Sequence, residues 1–250
     1  MNEPFIQIKQ KPAARARRQA GQPARRGPRR DPGKLKAIAG AACHVLTAQG
    51  LRLTQVADVA AVAGVAAGTV YTYVAEKEAL VELAIRSAAR LELPKGETAV
   101  RHSPARLKRV TAEAVAMRFQ WPVLTAALSA RARRKAALIP VLEETYDMLA
   151  RERRLIALLD RCAQEVRVVE DLYLWGLRRA FLGDFETYIR LMARAGHLRR
   201  DIDTAAAARG TLEMMVWMAM RRVGDPEPPA CDEEAARKAC IALAASGLRG

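Results

Sequence analysis

From Leu35 onward the apolar residues of this chain recur three or four apart, and nowhere do they alternate in the Val/Ile/Thr runs that strands require. Ala, Leu, Arg and Glu, all good helix formers, fill the positions between them. That pattern predicts an all-α protein, and prolines and glycines cut it into helices. Leu35, Ile38, Ala42, Val45 and Leu46 share one face of a first helix, which Gly50 is expected to end in a left-handed turn. Thr54 offers an N-cap hydroxyl to a second helix whose Val56, Val59, Ala60 and Ala63 lie together and which closes at Gly64. A third helix follows at about 66–73. A fourth runs from near Glu76 to Leu93, with Leu80, Leu83, Ala84 and Ser87 inward, and Pro94 stops it. Beyond it, Pro104, Trp121-Pro122, Pro140, Gly196 and the GDPEPP run at 224–229 punctuate further helices expected near 104–120, 122–134, 139–150, 152–168, 171–195, 204–222 and 232–246.

Charge divides the chain differently. Of the net +15, residues 1–34 hold ten Lys/Arg against two Asp/Glu, residues 35–92 hold five of each, and residues 93–250 hold 27 against 20. More than half of the excess therefore sits in the first seventh of the chain, where five prolines and few large apolar residues predict a disordered basic arm over 1–32. A polyanion is the expected partner, and nucleic acid is preferred to membrane because no apolar amphipathic face accompanies the arm. The apolar run Met214–Met220 is seven residues long, well short of the roughly 20 a membrane span needs. Four cysteines with no CxxC spacing and no preceding signal peptide predict reduced thiols in the cytoplasm, without a zinc site.

The stretch GVAAGTVYTYVAEKEAL, residues 64–80, carries the most specific chemistry. Two short helices joined by Ala-Gly-Val have the layout of a helix-turn-helix, whose second helix lies in the DNA major groove. Gly64 permits the turn, Val65 plugs the corner, and Gly68 removes a side chain where another backbone comes close. Thr69, Tyr71 and Tyr73 are expected to present hydroxyls outward to phosphates or base edges, and Lys77 to meet phosphate at the start of the next helix. The bland alternative is an ordinary helical corner with partly buried tyrosines.

Residues 53–80, LTQVADVAAVAGVAAGTVYTYVAEKEAL, preceded by IAGAACHVLTAQG at 38–50, resemble the DNA-binding domain of tetracycline-repressor (TetR) family transcriptional regulators. RAGHLRRDIDTAAAARGTLE, at 194–213, is similar to a weaker signature of that family's C-terminal half. The resemblance implies a helix-turn-helix domain over 33–93 and a helical ligand-binding and dimerisation domain over 94–250. It implies that Thr54 and Gln55 open the reading pair near the phosphates, that Ala67, Gly68, Thr69 and Tyr73 lie at the groove, and that Tyr71 and Lys77 clamp phosphates. Two departures stand out. Ala66 replaces the usual Ser, losing a cap of about 1 kcal/mol, and Val74 replaces the usual Phe. With so few polar groups, specificity is expected to lean on thymine methyls, DNA shape and the arm, where Arg25, Arg26, Arg29 and Arg30 would reach the minor groove or flanking phosphates. A merely solvated tail is the alternative for the arm.

The same resemblance implies a homodimer on a partly palindromic double-stranded operator, released by a small hydrophobic or aromatic ligand. It takes no cofactor, and residues Met117, Phe119, Trp121, Tyr146, Trp175, Phe181 and Phe185 are the large side chains available to a pocket, most of them as core. The all-round apolar MMVWMAM at 214–220 and the last helix are expected to pair across a two-fold axis. His44, His102 and His197 stand apart from any metal-ligand spacing, and the RARRK run at 131–135 reads as a solvated helix end. No G-x-S-x-G, HExxH, phosphate loop or GxGxxG occurs, which argues against an enzyme. A ligand-independent DNA-binding or architectural protein, and more distantly a helical enzyme or scaffold, remain as other classes.

Overall fold

The computed structural model describes residues 31–95, 98–129, 138–227 and 231–249, and within them the architecture is all-helical. Residues 1–30 of the expected basic arm, with Arg25, Arg26, Arg29 and Arg30, lie outside the described residues, as does the RARRK run. Helix α1 (Pro32–Leu53) starts where Asp31 accepts the Gly33 amide at 2.8 Å, with proline in the first turn. Its regular winding breaks at Gly50, as expected, with φ 77° and ψ 175°, and one more turn follows across the kink.

Helices α2 (Val56–Ala63) and α3 (Ala67–Tyr73) follow, and α4 (Ala79–Ala89) connects this head to the body. Residues 79–85 of α4 are buried without a break, because α1, α5 (Pro104–Arg118) and α7 (Leu138–Ala163) surround it. The buried Glu82 carboxylate is met by Arg86 at 3.0 Å and by Arg106 of α5 at 2.5 Å, so its charge is compensated rather than stranded.

The body is built around α7. Two helices were expected here, at 139–150 and 152–168, yet one helix of 26 residues runs through. No glycine interrupts it, its one proline, Pro140, lies within the first turn, and Glu152 at the expected break is buried, held bidentately by Arg118 at 2.6 and 3.1 Å and flanked by Arg151 and Arg90. The short α6 (Pro122–Leu128) packs on α7 and α9 (Arg179–Arg194). After α7, a helix begins as α8 (Arg167–Val169), winds through a π-helical segment (Glu170–Arg178) and continues as α9. Helix α10 (Thr204–Ala219), capped by Asp203, and α11 (Glu233–Arg249) pack on α7, with a 3-10 turn (Arg221–Gly224) after α10.

Candidate nucleic-acid interface and inner cavity

The corner between α2 and α3 turns the chain through 101°. Gly64 sits at φ 66° and ψ 35° and, with Val65, returns hydrogen bonds to the carbonyls of Ala60 and Ala61, satisfying the end of α2. Val65 is half-buried against the core beneath. Such an angle between two short helices is the geometry of a helix-turn-helix. Val70 and Tyr73 face inward from α3, leaving Ala67, Gly68, Tyr71 and Thr72 on its outer side, with Tyr71 54% exposed. Thr72 joins this face because it lies four residues from Gly68; helical spacing could have singled it out.

Several expected roles change once the corner is folded. Tyr73 is 4% exposed, and its hydroxyl accepts the Asp31 amide at 3.0 Å. It therefore pins the start of α1 against the end of α3 instead of facing the groove. Thr54 is also buried and donates to the Gly50 carbonyl at 2.6 Å, so it does not cap α2. Gln55 occupies the N-cap, exposed, and Asp58 reaches back to its amide at 2.9 Å. A Cβ at Gly68 would meet nothing within 4 Å among the described residues, so no described backbone requires it to be bare. Thr69 is half-buried. Ala66 stands at the N-cap of α3 with no side-chain hydrogen bond to give.

Lys77 precedes α4, and its ammonium donates to the carbonyls of Leu51 and Arg52 at 3.2 and 3.3 Å, capping the end of α1 rather than extending toward phosphate. It lines an open crevice of about 490 Å³ between head and body, together with Arg52, Arg161 and Glu165. There Arg161 donates to the Gln49 carbonyl at 2.7 Å and Glu165 accepts the Arg52 amide at 2.6 Å. A Cβ on Gly50 would stand 2.6 Å from Glu165 Oε1, so the end of α7 occupies the space a side chain would need. The segment after α4 returns to the head as well: Val100 exchanges hydrogen bonds with Tyr73 and Ala75 at 2.8 and 2.9 Å.

A second cavity, of about 60 Å³, lies inside the body. Of the large side chains expected to be available, Phe119, Trp121 and Phe181 line it, Trp121 edge-on to Phe181 with centroids 5.0 Å apart. The others do not. Met117 and Trp175 point outward at 61% and 58% exposure, because α5 and the π segment turn those positions away from α7. Phe185 is buried behind Phe181, stacked at 6.1 Å, and Tyr146 is core, its hydroxyl 3.3 Å from Glu233. Burial raises the Tyr146 hydroxyl to about 12. The polar end of the cavity was not foreseen: Asp160, Tyr173, Arg178 and Arg221. Tyr173 donates to Asp160 at 2.9 Å. Burial pushes the Asp160 carboxyl up, against the opposing pull of Tyr173 and Arg178. Among the described residues no group of three or more His, Cys, Asp or Glu side chains is placed to hold a metal ion.

A helix-turn-helix head on a helical body with an inner cavity defines a DNA-binding regulator. The family model of bacterial regulatory proteins of the tetR family matches residues 38–84, the helix-turn-helix head. In fold the chain is similar to the ketosteroid transcriptional regulator KstR2 of Mycobacterium tuberculosis, at 14% identity, TM-score 0.51, covering 88% of this chain and 97% of that one. A TetR-family member from Streptomyces coelicolor A3 is similar at 20% identity and TM-score 0.54, over 85% of this chain and 91% of that one. No curated protein matches the chain in sequence.

Proposed function

We propose that the chain is a cytoplasmic, nucleoid-associated transcriptional repressor that binds a partly palindromic operator as a homodimer and leaves it when a small molecule occupies the inner cavity. It acts by binding and not as an enzyme. The observation that carries the reading is the outer side of α3, where Ala67, Gly68, Tyr71 and Thr72 form a face with little bulk, set at 101° to α2. A backbone that bare brings a helix close to base edges and thymine methyls. Gln55, exposed at the start of α2, and Tyr71 are the candidates for phosphate contact.

The root of the arm supports a role for its arginines. Tyr73 holds Asp31 beside the end of α3, so Arg30 is one residue, and Arg25 six residues, from that anchor. Six extended residues span about 20 Å, enough to reach an adjacent groove. Two-fold pairing through α10 and α11 is supported by outward apolar side chains on both: Trp217, and Leu243 at 63% exposure, with Ala239 and Ala242 beside it. Heads so paired would read half-sites about 34 Å apart.

Two routes could couple cavity to head. Asp160 at the cavity precedes Arg161, which grips the end of α1, and Glu165 lies one turn on. Phe119 follows Arg118, whose partner Glu152 also lies 3.8 Å from Arg90 at the end of α4. A side chain displaced in the cavity would therefore shift α7 or α4 against the head.

Footprinting on the DNA upstream of the protein's own gene tests this reading. Two protected half-sites related by a two-fold axis are expected; no protection at physiological salt would overturn it. Deleting residues 1–30 should weaken binding and flatten its salt dependence by about 0.9 for each phosphate that the arm no longer neutralises, and an unchanged slope would show that the arm is only a solvated tail. Loss of the footprint on adding a cavity ligand separates the ligand-responsive repressor from a ligand-independent regulator.

A further inference from the structure

The inner cavity has an apolar body and one charged end, and the charges at that end do not balance. Its walls are Phe119, Trp121, Leu149, Ile156, Phe181 and Leu212. At the polar end Asp160 is met twice, by the Tyr173 hydroxyl at 2.9 Å and by Arg178 at 3.5 Å. Arg178 in turn reaches Glu213 at 3.7 Å, and Glu213 is paired with Arg209 at 2.6 Å. Arg221, exposed at the edge of the same cavity, acts on Asp160 through its charge alone and makes no side-chain hydrogen bond or ion pair among the described residues. The lining thus carries two guanidinium groups against one carboxylate, and the unspent charge is positive.

The backbone supports the same site. Tyr173 and Arg178 are five residues apart, and α-helical winding would turn them about 140° away from each other. In the π-helical segment Glu170–Arg178, residues five apart are bonded turn to turn and stand on one side. Both therefore line the cavity, and π-helical turns within α-helices are found frequently at functional sites.

We propose that the cavity takes a molecule with an apolar, aromatic or alkyl body and a single anionic head, the head paired with Arg221 beside Arg178 and the body laid against Trp121 and Phe181. This rests on the reading of the cavity as the effector site. A cation would meet two guanidinium groups and a single carboxylate already bonded by Tyr173 and Arg178. A neutral molecule would leave Arg221 as it is, whereas a carboxylate gains a charged and potentially bidentate hydrogen bond to it. The volume of about 60 Å³ is small beside the roughly 300–1,000 Å³ of a typical ligand site. A body of that kind must therefore push side chains aside, and Trp121, half-buried at the start of α6 and tied only by its indole N–H to Asp184 at 3.3 Å, is a wall that can yield toward solvent.

The test uses the full chain and two matched sets of probes: naphthalene-2-acetic acid, its amide and 2-(2-naphthyl)ethylamine, and decanoic acid, decanamide and decylamine. Titration calorimetry should show the acid of at least one set binding tenfold or more tightly than its amide, with the amine weakest. Arg221→Gln, on an exposed turn, should reduce the acid to the affinity of the amide and leave the amide unchanged. Val216→Trp, which fills the cavity from a half-buried position, should abolish binding in a variant whose melting curve shows that it is folded. Acid and amide binding equally, or an acid indifferent to Arg221→Gln, overturns the anionic head while leaving the cavity as a ligand site. Binding that survives Val216→Trp, or no binding by any of the six compounds, overturns the effector site itself.

Discussion

Replacing Gly50 by alanine probes the joint between the DNA-binding head and the body. At φ 77° and ψ 175° this backbone lies in a region open essentially to glycine alone, so any side chain costs about 1–3 kcal/mol in strain. The new Cβ would also stand 2.6 Å from Glu165 Oε1 and 2.9 Å from Cζ and Nε of Arg161. Those are the ends of flexible side chains, so they would swing away, and steric overlap would add little by itself. Swinging away breaks the bonds they make, Arg161 to the Gln49 carbonyl and the Arg52 amide to Glu165. Hydrogen bonds to charged groups contribute about 1.5–3 kcal/mol each, and these lie at the low end because Arg161 and Glu165 keep access to water. Together the substitution should cost about 4 kcal/mol, a large share of the roughly 5–15 kcal/mol that holds a domain folded. Gly64→Ala is the control: its φ is also positive, at 66°, but no described atom lies within 4 Å of the new Cβ, so about 1–2 kcal/mol is expected. Urea unfolding followed by circular dichroism compares the two. Equal losses would mean that Gly50 matters only for its φ, and the clamp formed by Arg161 and Glu165 would be refuted.

Gly68→Ala should raise the stability of the protein by about 0.5–1 kcal/mol, since a helical glycine with space around it is replaced. The same methyl should weaken operator binding in a fluorescence-anisotropy titration; unaltered affinity would move the DNA contact away from this face. Glu152→Gln removes the charge that Arg118, Arg151 and Arg90 share, and should cost about 3 kcal/mol in urea unfolding. Asp160→Asn has a pH signature. Burial raises this carboxyl, so its contribution to stability is fully present below its ordinary value of 3.8 and is lost as pH rises through the raised value. The asparagine variant should therefore gain on the wild type in melting temperature as pH rises from about 4 to about 7, and a constant difference would count against a desolvated Asp160.

Much of the head was legible because its determinants are local. The helical spacing of Val56, Val59 and Ala60 and the left-handed Gly64 specify two short helices and the turn between them. The bare tip of the reading helix at Ala66 and Ala67 is visible in the residues themselves. Helix ends were less legible where charge, not a breaker, decided them. α7 runs through position 151 because the carboxylate at 152 finds arginines at the end of α4 and on α5, partners 62 and 34 residues away in the chain.

What spacing along the chain determines, then, is that this protein is helical, where it turns sharply, and that a helix-turn-helix stands behind a basic arm. Tertiary structure alone decided which polar groups remain for DNA or ligand. Tyr73, Thr54 and Lys77 have the chemistry of phosphate contacts, yet folding brings each against a backbone group of α1 or its cap, at Asp31, Gly50 and Leu51–Arg52. Likewise Met117 and Trp175 face water while Asp160 and Arg221 reach the cavity, because the docking of α5 and α7, the winding of the π segment and the turn after α10 set those directions. A side chain's chemistry is written in its own residue type; the group it meets is set by elements packed against it from elsewhere in the chain.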